Sequence, residues 1–229
     1  PYALPAALNL DNFVAAWQKA NIAAYFGNSI FVTVLSTVLL LLLVIPISYV
    51  LARYRFVGSR LISMVYMACI FLQATYIMIP LFLELQAVNG LNNLPVLCLV
   101  YAVMQFPFCI FTLQGFMSAV PRDYEESARI DGATRGQYFW RIALPLLVPS
   151  MKSAAILSMV GSLKYFDLIY VMTGGGPGTS TELMATYMYK QSFKNFNMGY
   201  GSAVAGGMFI LISMVALITM KLLKGKEEA

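Results

Sequence analysis

The sequence predicts an all-α membrane protein: a polytopic helical bundle that crosses a bilayer five times within this chain. Three observations lead there. The 229-residue chain is 60% hydrophobic and 11% charged, whereas soluble globular chains are about 45–50% apolar and about 25% charged. A water-soluble fold of this size cannot hide so much apolar surface, so lipid is the expected solvent. The apolar residues also come in long runs, and a helical span needs roughly 20 of them. Finally, Lys and Arg cluster between the runs, the pattern of loops held on one side of a membrane. That placement argues against reading the net charge of +5 as a nucleic-acid signature.

The elements follow in chain order. Residues 1–27 are mildly amphipathic, with Phe13, Ala16 and Trp17 spaced for one helix face, and suit an external helix lying at the interface. Residues 28–229 form the membrane domain. Its spans are expected at Asn28–Ala52, Leu61–Leu83, Val96–Val120, Leu146–Met172 and Gly201–Met220. Loop 85–95 is short and rich in Asn, Gly and Pro, a turn. Residues Thr173–Met198 open on Gly174-Gly175-Gly176-Pro177 and continue as a helix rich in Tyr and Phe.

Orientation follows from counting cations in the loops. Arg53, Arg55 and Arg60, then Arg122, Arg129, Arg135 and Arg141, then Lys221, Lys224 and Lys226 make ten on one side. Lys19, Lys190 and Lys194 make three on the other. The first side is expected to be cytoplasmic, with the C-terminus there. Pro1 then lies outside, no signal peptide precedes it, and an earlier span absent from this sequence is inferred.

The composition excludes much chemistry. There is no histidine, hence neither the commonest general base nor the commonest metal ligand. Cys69, Cys98 and Cys109 lie in apolar runs without CxxC spacing and read as small buried hydrophobes. No G-x-x-x-x-G-K-[ST] phosphate loop is present, so any ATP chemistry belongs to another chain.

The loop 121–145 reads as two short helices with a sharp turn. Asp123 and Glu126 have capping-box spacing, as do Thr134 and Gln137. Gly132 permits the left-handed backbone that ends a helix. Ala128 and Gly132, four apart, suggest a stripe of small residues that another backbone can approach. Leu144-Pro145 is expected to end the second helix. Periodicity alone does not distinguish a docking helix from one lying on the membrane.

Spacing says more. Glu126-Ser127-Ala128, three residues, Gly132, nine residues, Ile142, one residue, Leu144-Pro145 resembles the E-A-A-x3-G-x9-I-x-L-P loop of ABC-importer permeases. Ser127 is the one departure, small for small. Asn28-Ser29, Ala52-Arg53, Phe56-Val57-Gly58, Gly90-Leu91-Asn92, Pro107-Phe108 and Asp131-Gly132-Ala133 look like the maltose-type, carbohydrate-uptake permeases of prokaryotic plasma or inner membranes. Thr173–Pro177 and Gly199–Ala203 look more like the second of the two paired permease types in that class.

The resemblance implies that this loop is a coupling helix for an ATP-hydrolysing subunit, contacted through Glu126, Ser127, Ala128, Gly132, Ile142, Leu144 and Pro145. It further implies a second permease subunit, two ATPase subunits that carry ATP and Mg, and an extracellular substrate-binding protein. The chain itself would hold no cofactor and hydrolyse nothing. Import of a non-sugar solute, or an ion-coupled transporter or channel working without an ATPase, are the alternatives.

Charges inside a span cost about 2.5–3.5 kcal/mol each on insertion scales. Lys164 and Asp167, three apart on the expected fourth span, should therefore face each other in the bundle or a wet cavity. With Gly161, Tyr165, Phe166 and Gln105 they are candidates for the substrate path, and an ion pair that merely fixes helix packing is the competing reading. Glu84 reads as a solvated outer-end charge, and Gln73 as a weaker path candidate.

Overall fold

The computed structural model of the chain describes residues 11–19, 22–72, 74–176, 178–179 and 181–224. Its helices are α1 (Asp11–Lys19), α2 (Ile22–Arg53), α3 (Ser59–Ile70), α4 (Ala74–Ala87), α5 (Leu94–Ala119), α6 (Asp123–Ile130), α7 (Arg135–Tyr138), α8 (Leu144–Lys164), α9 (Asp167–Met172), α10 (Met184–Tyr189) and α11 (Met198–Lys224). Single π-helical turns, Phe139–Ala143 and Lys190–Lys194, join α7 to α8 and follow α10. Four stretches are long and apolar enough to cross a membrane: Ala23–Arg53, Leu94–Ala119, Arg135–Lys164 and Met198–Lys221. A fifth is reached if the bent pair α3–α4 counts as one span.

The exposure pattern fits a lipid solvent. On α2, Phe31, Val34, Val38 and Leu42 are exposed at helical spacing, while Val32, Thr33, Ser36, Leu40 and Val44 are buried. Lipid is as apolar as leucine, so cohesion inside such a bundle comes from packing and polar links rather than escape from water. α5 is the central post. Leu97, Cys98 and Tyr101 pack with Val32, Leu168, Ile169 and Met172 at one end. Cys109, Ile110 and Leu113 meet Leu40, Val44 and Ala154 midway. Met117 joins Tyr49, Ala128, Tyr138, Ala143 and Leu147 at the arginine-rich end. The cysteines are free thiols; Cys98 and Cys109 are buried and Cys69 is half-buried.

Several expectations change. The second span is not one straight helix: α3 closes with i→i−3 bonds from Phe71 and Leu72 to Ala68 and Cys69, and the chain turns by 107° into α4. Apolar composition cannot register such a break, because both arms are equally greasy. The fourth span does not run from Leu146 to Met172. It begins at Arg135 and ends at Lys164, where Tyr165 turns extended at ψ 126°. α2 starts at Ile22, so the membrane domain begins before residue 28. α1 lies along α11: a Cβ on Gly206 would sit 3.4 Å from the Phe13 ring. The side chains of Ala16 and Trp17, the segment around Pro1, Gln73, Pro177 and Lys226 lie outside the described residues.

Candidate functional site

Two places stand out. The first is the loop between α5 and α8. Helix α6 is not capped by Asp123. Arg122 before it already has helical angles (φ −69°, ψ −20°) and no side-chain cap bond forms. Asp123 therefore lies inside the first turn with Glu125 and Glu126, where three acids favour the positive end of the helix dipole. The C-terminal end is as expected. Gly132 adopts φ +80°. Its N–H bonds Arg129 O at 3.1 Å and that of Ala133 bonds Ala128 O at 2.9 Å, the paired bonds of a Schellman cap.

The second capping box is present. Thr134 N–H donates to Gln137 Oε1 (2.8 Å) and Gln137 N–H to Thr134 Oγ1 (3.3 Å). Leu144-Pro145 does not end the helix that follows, which passes through the π-helical turn directly into α8. Pro145 falls in the first turn after that junction, a position that tolerates a missing N–H.

The expected outward stripe of small residues is absent. Ala128 is 5% exposed and packed beneath Tyr49 and Tyr138, so it faces its own chain and cannot meet a partner directly. Gly132 is exposed, Ile142 and Leu144 are half-buried and Pro145 is exposed. What α6 presents outward is Glu126, Ser127 and Arg129 together with Ile130, which is 86% exposed. Tyr124 and Trp140 flank it, also exposed.

The second place is a polar seam between α5 and α8. Gln105 Nε2 donates to Ser162 Oγ at 3.2 Å, and Cys109 Sγ lies 3.7 Å from Ser158 Oγ. The Tyr101 and Tyr165 rings pack at 4.9 Å. Gly161 faces open space and α8 runs through it unbroken. Phe166 stacks on Tyr170 at 5.2 Å and meets Tyr189 at 4.6 Å. Lys164 and Asp167 are both exposed. The helix break at Tyr165–Phe166 separates them, so the i, i+3 geometry assumed for them does not exist, and no ion pair joins them.

Sequence reasoning missed Ser158 and Ser162, although a signal was there: four apart on one helix, they match Gln105 and Cys109, four apart on another. It also missed a buried ion pair. Lys190, expected as a loop cation, bonds Glu182 Oε2 at 2.5 Å and Gly174 O at 2.8 Å. Glu182 is 2% exposed and its Oε1 finds no partner in the chain. Gly175, at φ +91°, fits beside this pair because it has no side chain: a Cβ would press on the Glu182 carboxylate and lie 2.7 Å from Lys190 Nζ.

A bundle of apolar spans with a polar seam inside and a rigid helical loop projecting from one end defines a membrane transport component. Comparison with known proteins makes this specific. Residues 44–226 match the family described as binding-protein-dependent transport system inner membrane component. A putative ABC transporter permease protein, ORF1, of Caldicellulosiruptor sp. is 57% identical over 122 residues, which is 53% of this chain and 87% of that protein. The diacetylchitobiose uptake system permease protein NgcG of Streptomyces coelicolor is 34% identical over 219 residues, 95% of this chain and 70% of that protein. A crystal structure of a bacterial ABC transporter that imports the acidic polysaccharide alginate contains a chain of the same fold. The TM-score is 0.79 at 17% identity, covering 97% of this chain and 86% of that one. The chain belongs to the family of inner-membrane components of binding-protein-dependent transport systems; it is a multi-pass permease subunit of an ABC transporter.

Proposed function

We propose that this subunit imports a carbohydrate, forms half of the translocation path beside a second permease subunit, and is driven through α6 by an ATP-hydrolysing partner. The observation that carries the coupling reading is the geometry of α6. A short helix is fixed from behind by buried Ala128 and a Schellman cap, and in front it offers Glu126, Ser127, Arg129 and the almost fully exposed Ile130. An apolar tip ringed by charges suits a cleft in another protein better than open water. ATP and Mg would sit on two such partner subunits, and an extracellular binding protein would deliver substrate. The excess of Arg and Lys places α6 and the C-terminus in the cytoplasm.

The sugar assignment rests on the named substrates of similar proteins, diacetylchitobiose among them. It also fits the seam itself, where hydrogen-bonding groups of Gln105 and Ser162 lie on the same helices' ends as the rings of Tyr101 and Tyr165. Gly132→Arg tests the coupling. An Arg cannot hold φ +80° without strain, so the chain should insert in the membrane yet lose its ATPase on co-purification. Normal uptake by that variant would overturn the reading. For the substrate, ATP hydrolysis by the reconstituted complex should rise with binding protein loaded with oligosaccharide. A rise only with an amino acid or a phosphonate would refute the carbohydrate assignment.

A further inference from the structure

Helix α2 is gripped at both ends. At the arginine-rich end its last turn holds the entrance and the exit of the 121–134 loop. Arg53 Nη2 donates to Val120 O, at the entrance, at 3.0 Å. Beyond the exit, Tyr49 packs edge-on against Phe139 at 4.8 Å, and the Arg135 guanidinium lies 5.8 Å over the Tyr54 ring. Tyr49 is also buried with Ala128, so the grip reaches α6 itself. At the opposite end Asn28 Nδ2 donates to the backbone oxygen of Glu182 at 3.3 Å. The Glu182 side chain holds Lys190, and Lys190 holds Gly174.

Between these grips α2 rises about 38 Å at 1.5 Å per residue. One of its faces is packed along the way, through Ser29, Val32, Thr33, Ser36, Leu40, Val44 and Ser48. α8 follows the loop covalently, but a π-helical turn intervenes and the helix stops at Lys164. Among the described helices α2 alone joins both ends of the loop by side-chain contacts to the glycine turn at the far side.

We propose that α2 is a connecting rod: it carries displacement of the α6 loop across the membrane to the turn Thr173–Gly176, with Arg53, Tyr54 and Asn28 as positioning residues. The proposal rests on reading α6 as the ATPase-docking helix. Its test uses the assembled transporter in proteoliposomes, with Cys69→Ser to remove the accessible thiol and Thr179→Cys as a reporter beside the glycine turn. Labelling by a membrane-impermeant maleimide is timed with and without Mg–ATP plus vanadate. In that parent, trapping nucleotide should change the labelling rate. In Arg53→Met and in Asn28→Leu the ATPase should still co-purify and hydrolyse ATP, while the nucleotide-driven change shrinks by about 5-fold or more, the lower bound of coupling between sites. A full response in either variant, or none in the parent, overturns the rod. Loss of the ATPase from Arg53→Met alone also overturns it, since the grip would then serve docking only. If no version of the chain retains the ATPase, the coupling reading fails instead.

Discussion

Replacing Lys190 by Met isolates the cost of one buried charge. The pair is asymmetric: Glu182 is 2% exposed and the Lys190 side chain 26%, so the carboxylate is the member that cannot reach water. One of its oxygens already lacks a partner; removing Lys190 leaves both unpaired. Breaking a buried pair by deleting one partner costs about 3–5 kcal/mol, whereas replacing both partners with neutral groups is often neutral or stabilising. Lys190→Met should therefore destabilise strongly, and Lys190→Met with Glu182→Gln should recover most of the loss. Met keeps most of the lysine stem volume, so lost packing is a small part of the effect. The native cysteines supply the assay. Cys98 and Cys109 are 0% and 1% exposed, and a thiol-reactive dye reports their exposure as the purified protein is heated in detergent. A double-mutant cycle then isolates the coupling between the two sites. A loss below about 1 kcal/mol for Lys190→Met would place it among ordinary surface ion pairs and refute the reasoning. Failure of the double variant to recover would do the same.

Further outcomes follow from the same geometry. Gly175→Ala combines a left-handed backbone with a Cβ pressed on Glu182 and Lys190, so it should lower the same melting transition by more than the roughly 1–2 kcal/mol that the backbone costs alone. In Gly201→Ala a Cβ would lie 3.0 Å from Ser192 Cβ; α11 must back away, at a cost of about 1–3 kcal/mol by overpacking, read by the same dye. Thr134→Ala removes one bond of the capping box and should cost about 0.5–2 kcal/mol; hydrogen exchange in residues 134–138 should quicken while the spans stay protected. Gln105→Leu with Ser162→Ala removes both partners of the seam bond and should be nearly neutral for folding, yet change uptake rate or substrate preference if the seam borders the path.

Local signals in the sequence held wherever a single residue's backbone preference decides the outcome. Gly132 takes the left-handed angle, and Thr134 with Gln137 closes the second capping box. They failed where the outcome depends on neighbours. Asp123 has capping chemistry, but Arg122 is already helical, so the cap position is occupied by another residue. Lys164 and Asp167 have helix spacing, but Tyr165 leaves the helix between them. Ala128 was expected on an outward stripe, yet Tyr49, from nearly eighty positions earlier in the chain, covers it. The Glu182–Lys190 pair was illegible for a related reason: a carboxylate in an apparently wet loop gives no hint that the fold will bury it.

The π-helical turn Phe139–Ala143 sets a phase. Each residue advances an α-helix by about 100°, and a π turn houses a residue that a regular helix would not need. Deleting one residue within 139–143 should let the segment relax to α-helical pairing while leaving α6 and its cap untouched. Everything beyond would then be rotated by about 100°, turning Ser158 and Ser162 away from Cys109 and Gln105. The irregular turn thus works as a vernier between two machines: it lets the loop be cut for its partner and the seam for its cargo, each in its own register.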